Sequence, residues 1–260
     1  MKINIFQIDA FSGKVFSGNS AAVCPLNQWM DENLMQSIAS ENNLAETAFF
    51  VKEKDTYHIR WFTPTTEVEL CGHATLASAF VIFNHLEKGI SKISFSSASG
   101  PLSVIRKENL IILDFPVIPP KQCVMPEYLI EGLGGSCPDY VLSATNYLAV
   151  FNKEDDILNI QPDFNFLSRL DLQGVIITSP GKEFDFVSRY FAPKYGIPED
   201  PVTGSAHSTL IPYWSERLKK KKLKARQLSL RGGELICEYA GERVKIGGYA
   251  AEYLHGTINI

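Results

Sequence analysis

The sequence predicts an α+β fold made of a duplicated domain, each half a mostly antiparallel, curled sheet around one central helix. Arg60-Trp61-Phe62-Thr63-Pro64 is echoed by Arg189-Tyr190-Phe191-Ala192-Pro193, and Gly72-His73-Ala74-Thr75 by Gly204-Ser205-Ala206-His207. SGPLSV, from Ser99 to Val104, lines up with GGELIC, from Gly232 to Cys237. The three pairs keep their order at a nearly constant offset of roughly 130 residues, the mark of an internal repeat. Each half also opens on short alternating strands and contains one apolar helical run.

In chain order, Lys2 to Phe6 alternates polar and apolar residues as a strand does, and Thr47 to Val51 is the next such run. A helix is expected from Gly72 to Leu86; its ATLASAFVIF core is apolar nearly all round, which predicts burial. Lys107-Glu108-Asn109 punctuates a hairpin. Pro116, Pro119, Pro120 and Pro126 interrupt any regular element and place the link between halves, giving domains of 1–116 and 117–248. The second half repeats the plan. It has a strand at Gly174 to Thr178, a helix from Gly204 to Leu218 and a hairpin at Ala240-Gly241-Glu242. The basic run from Arg217 to Arg226 reads as a solvated helix end, where cations suit the dipole.

Composition narrows the function. Hydrophobic residues make up 45 % and charged ones 21 %, and the net charge is −4, which argues against nucleic acid or an anionic membrane as partner. The start, MKINIFQIDAF, has no apolar core or cleavage site of a signal peptide. No stretch approaches the roughly 20 apolar residues that span a bilayer. Five scattered cysteines without a CxxC pair speak against a disulfide framework and a zinc site. A cytoplasmic enzyme kept reduced fits best. No GxSxG, Walker loop, HExxH or GxGxxG is present, so no competing chemistry is visible.

The candidate residues cluster at the two helix starts. A helix N-terminus carries unpaired N–H groups and about half a positive charge, so two of them at equivalent positions would suit a small anionic substrate. The first start holds Cys71, Gly72 and His73. Cys71 is a candidate acid/base thiol, its pKa expected to be lowered by the dipole. The second holds Asp200, Thr203, Gly204 and Ser205, of which Asp200, Thr203 and Ser205 also read as helix caps. Glu46, in NLAETAFF, stands at the mouth of an apolar strand. Its counterpart in the other half falls near Gln173-Gly174, with no carboxylate. A charge present in only one copy of a repeat points to work rather than architecture.

DAF, AAVCPL, ENNLAETAFF, RWFTP, EVELCGHATLASA, RYFAP and EDPVTGSAH together resemble the PhzF-like family of phenazine biosynthesis over nearly the whole chain. The resemblance implies a fold like that of diaminopimelate epimerase, an active site in the cleft between the halves, and a final segment, 249–260, that returns to the first domain. It also implies a cofactor-independent isomerase, with Glu46 as catalytic acid/base and His73 and Asp200 as cleft residues. Gly72, Gly204 and Ser205 become substrate-binding, and the relatives imply a homodimer. The substrate class is a small carboxylic or amino-acid-like anion. An epimerase or racemase pairing Glu46 with Cys71 or His73 is the alternative within enzymes, and a non-catalytic binding protein the alternative outside them. Gly18-Asn19-Ser20 departs from the family's usual Gly-Asn-Pro turn.

Overall fold

A helix that is apolar on every side can be stable only if strands surround it, and that requirement organises the N-terminal unit. The computed structural model describes residues 1–260 and divides into two compact units, 1–114 with 246–260, and 115–245. In chain order the first comprises β1 (Lys2–Ala10), β2 (Asn19–Leu26), α1 (Glu32–Asn42), β3 (Glu46–Glu53), β4 (Thr56–Phe62) and β5 (Glu67–Val68). After these come α2 (Gly72–Val81), β6 (Lys92–Ser97), β7 (Gly100–Lys107) and β8 (Leu110–Pro116). The helix predicted to Leu86 does continue past Val81, but Ile82–Leu86 is wound as a π-helical turn. From Gly72 to Ala79 every residue of α2 is buried, and the helix packs on β1, β2 and β3.

The second unit holds β9 (Lys121–Gln122), α3 (Leu129–Gly132), β10 (Tyr140–Ser143), β11 (Tyr147–Val150), α4 (Glu154–Asn159) and α5 (Phe164–Leu167). It continues with β12 (Val175–Pro180), β13 (Phe186–Phe191), α6 (His207–Leu218), β14 (Lys222–Gln227) and β15 (Gly233–Ala240), and β16 (Arg243–Gly248) begins in it and ends in the first unit. The chain ends in β17 (Ala250–Asn259), which pairs antiparallel with β1 in the first unit.

The strand pairing within each unit is mixed. In the first unit β1–β2, β3–β4 and β6–β7 are antiparallel, whereas β2–β3 and β4–β6 are parallel. In the second, β10–β11, β12–β13 and β14–β15 are antiparallel, and β11–β12 and β13–β14 parallel. The parallel pairs fall where helices intervene, because parallel neighbours need a crossover while antiparallel ones can be joined by a tight turn. Here the crossovers run through α1, α2, α4 with α5, and α6.

Two expectations are corrected. The second helix begins at His207 rather than Gly204, because 204–206 form a turn. The basic run is only partly a helix end. Lys219 closes α6 in the left-handed region (φ 52°), and Lys222–Gln227 is strand β14. There Leu223, Ala225 and Gln227 are buried while Lys222, Lys224 and Arg226 face water. The alternation of a half-buried strand was hidden behind its charge.

Inside α6, Pro212 has no N–H to give the carbonyl of Ser208, and the amide of Ile118 takes that carbonyl instead at 3.0 Å. Trp214 of the same helix stacks on Phe186 and donates its indole N–H to Thr178 Oγ1 at 2.9 Å. In the first unit, Gly248 leaves room for Phe11. A Cβ there would sit 2.4 Å from Phe11 Cδ1 and 3.1 Å from Leu76 Cδ1, both on fully buried side chains. Gly248→Ala is therefore expected to cost about 1–3 kcal/mol by overpacking. The readout is a lower urea midpoint at unchanged slope.

Candidate functional site

The first cluster is assembled by three element starts. α1 ends with Asn43 in the left-handed region (φ 48°), which turns the chain so that β3 begins at Glu46. Arg60 of β4 forms a bidentate pair with Glu67 at 2.7 and 2.6 Å, tying β4 to the segment that leads into α2. Cys71 is the N-cap of α2 but offers no side-chain cap bond, so the first N–H groups of that helix are left to other partners. His73 lies in its first turn.

These elements bring Glu46, Cys71 and His73 together. Glu46 Oε2 is 3.0 Å from His73 Nε2. The approach is off the ring N–H axis, so Oε2 is buried with no aligned hydrogen bond. Cys71 Sγ lies 3.5 Å from His73 Nδ1. Asn19, the first residue of β2, places its amide 3.1 Å from the same Nδ1. Glu46, Cys71 and His73 are 8 %, 6 % and 4 % exposed, so charge here is poorly screened by water.

Electrostatics follow from that burial. Desolvation alone would push the His73 imidazole down, but the Glu46 carboxylate beside it opposes this and holds the pKa well above 6.5. Cys71 behaves opposite to expectation. Burial, reinforced by the Glu46 carboxylate, pushes the thiol up to about 11, so it is a neutral S–H near neutral pH rather than a dipole-activated thiolate. The three side chains could also ligate a metal ion, their donor atoms lying within 4.8 Å of one another.

The second cluster lies in the other unit. Arg189 of β13 pairs bidentately with Glu199 at 2.7 and 3.0 Å, as Arg60 does with Glu67, and this fixes the residue before Asp200. Asp200 accepts from the Thr203 hydroxyl, and its amide donates to the Tyr190 carbonyl at 3.0 Å. Gln227, fully buried on β14, locks the loop from below. It accepts from the Thr203 amide at 2.9 Å and donates to the Asp200 carbonyl at 2.8 Å. Its amide also reaches Thr203 Oγ1 at 3.1 Å.

The capping expectation for Asp200, Thr203 and Ser205 fails. Ala206 is the N-cap of α6 and makes no side-chain cap bond, while the Thr203 hydroxyl is spent on Asp200. Gly204 is buried and Ser205 exposed in the turn ahead of the helix. Sequence reasoning did not single out Gln227 or His207, nor give Asn19 a role. Gln227 sits in a basic run and His207 opens an apolar helix, so neither carried a signal. Asn19 was visible only as part of a glycine turn.

The structure is that of an α+β protein with a buried carboxylate–imidazole pair at the start of a strand-packed helix. The model of the PhzC-PhzF family, described as phenazine biosynthesis-like protein, matches residues 8–256, and the chain belongs to that family. It is 48 % identical over 260 residues to an uncharacterized isomerase of Pseudomonas aeruginosa, with all of both chains covered. It is 41 % identical over 287 residues to the human phenazine biosynthesis-like domain-containing protein, covering 99 % of each. The crystal structure of a PhzF-family protein from Enterococcus faecalis superposes with a TM-score of 0.97 at 47 % identity, with 100 % of both chains covered. No helix is long and apolar enough to cross a membrane.

Proposed function

We propose that the protein is a cofactor-independent isomerase that moves a proton within a small carboxylic or amino-acid-like substrate, with Glu46 as the acid/base. The observation that carries this reading is the buried Glu46 Oε2, 3.0 Å from His73 and without an aligned donor. A carboxylate held in this way is free to take a proton from an acidified carbon. The elevated pKa of His73 keeps a positive charge beside it, suited to stabilising the carbanion-like charge that develops. In this reading the Gly72 region at the start of α2 contacts the substrate. One base serving both carbons transfers the proton on one face, so exchange with solvent is partial. The relatives named as isomerases support the class.

The test is proton exchange by NMR in heavy water over a panel of small carboxylic and amino acids bearing an acidic C–H. Migration of a hydrogen with partial deuterium uptake supports the isomerase. Uptake at a stereocentre without double-bond movement would instead select the epimerase reading, which Cys71 beside His73 favours, with the thiol acting as neutral acid. Silence across the panel, with ligands that bind, would select the binding protein.

We also infer that the two units descend from one duplicated ancestor, since their pairing orders correspond strand for strand. We infer further that the chain works as a cytoplasmic homodimer; light scattering that returns the monomer mass of 29.0 kDa would refute the dimer.

A further inference from the structure

We propose that Glu46, Cys71 and His73 form a binding site for a thiophilic divalent cation of the Zn²⁺ type, which would occupy the proton-handling cluster and block it. The sequence argued against zinc because no two cysteines stand at ligand spacing. The fold supplies instead one sulfur and one imidazole two residues apart at the start of α2, and one carboxylate from the start of β3. All three are buried, and their donor atoms lie within 4.8 Å of one another.

The separations suit the ion. Tetrahedral zinc, with bonds of about 2.0 Å to nitrogen and oxygen and about 2.3 Å to sulfur, places its ligand atoms roughly 3.3 to 3.7 Å apart. The Nε2–Oε2 distance of 3.0 Å and the Nε2–Sγ distance of 4.0 Å bracket that range. Binding requires Cys71 Sγ to move roughly 0.5 Å toward Nε2 to reach the tetrahedral separation. Glu46 Oε2 is buried and makes no aligned hydrogen bond, so a metal bond there replaces its ion pair with His73 and no other contact.

Asn19 supplies the outer support that a metal-bound histidine needs. With its amide turned so that Oδ1 accepts from Nδ1–H, it leaves Nε2 as the metal-facing nitrogen. On ligation Cys71 gives up its S–H proton and the His73 imidazolium its Nε2 proton, both to solvent. A donor set of one thiolate and one imidazole favours Zn²⁺ or Co²⁺ over Mg²⁺ or Ca²⁺. Cation binding does not depend on Glu46 being a catalytic base; only the block does.

The experiment is an anaerobic Co²⁺ titration of the full chain, followed by sulfur-to-cobalt charge transfer in the near ultraviolet. It is repeated on a Cys123→Ser/Cys137→Ser chain, which lacks the two cysteines that are not fully buried. The expected result is one Co²⁺ per chain in both, displaced by Zn²⁺. The band should vanish in Cys71→Ser, and binding should weaken at least about tenfold in Glu46→Gln and His73→Gln. Each variant is first shown to melt cooperatively. If Cys71→Ser fails to fold, X-ray absorption of the cobalt-loaded Cys123→Ser/Cys137→Ser chain replaces it, with one sulfur expected in the first shell. No saturable band in the folded protein, a band that survives Cys71→Ser, or a cobalt shell without sulfur would each overturn the proposal.

Discussion

Glu46→Gln is expected to lower turnover by about 10² to 10⁴, the usual worth of a positioned acid/base. The substitution is nearly isosteric, and Oε2 makes no aligned hydrogen bond that the amide would forfeit. The fold and substrate binding should therefore persist, and the loss should fall on kcat rather than KM. An amide cannot take a proton from carbon, so deuterium uptake should fall in step with turnover. The same variant has a second readout that needs no substrate. The Glu46 carboxylate is one of the groups holding the His73 imidazole up, so removing its charge should lower the His73 pKa, as followed by NMR titration. Turnover near that of the wild type would remove Glu46 from the mechanism, whatever His73 does.

The sequence made one part of this site visible and concealed another, for physical reasons. Glu46 stood out because its charge has no partner in the repeat, and His73 because it follows a glycine at a helix start with acidic residues just before it. Both signals are local. Their meeting at 3.0 Å is not, since it depends on β3 and α2 sharing one core. Cys71 was misjudged because a helix dipole was weighed without burial; complete desolvation and a nearby carboxylate reverse the sign. Asp200 and Thr203 read as caps as well as site residues because their residue types fit both. The structure spends them on each other and on Gln227, a residue that no local pattern marks. The repeated arginine had no assigned task in the sequence. It proves to be the same clamp twice, Arg60 on Glu67 and Arg189 on Glu199, each fixing a segment that leads to a candidate cluster. The parallel pairings were missed because periodicity marks strands but not their neighbours.

Acidification from about pH 6.5 to about pH 4 is expected to cost roughly 3 kcal/mol of stability through His207 alone. This histidine is fully buried as the first residue of α6. Its Nδ1–H donates to the Thr203 carbonyl at 2.8 Å, and its Nε2 has no partner. Burial pushes the imidazole down to about 4, only partly opposed by that carbonyl. The unfolded chain, titrating near 6.5, binds the proton first, so stability is present above 6.5 and is lost as pH falls toward 4. His73 has the opposite sign. Its raised pKa contributes stability that is full below 6.5 and fades as pH rises through the elevated value. Together the two buried histidines place the stability maximum close to neutrality. Urea denaturation at stepped pH, in wild type and His207→Gln, isolates the acid limb. The variant should be less stable at pH 7 yet flatter between 6.5 and 4, and parallel curves would refute the assignment. Because His207 holds the Thr203 carbonyl, acid should loosen the Asp200–Thr203 loop before the sheet. Faster hydrogen exchange at the Thr203 amide than at the β12 amides would show that order.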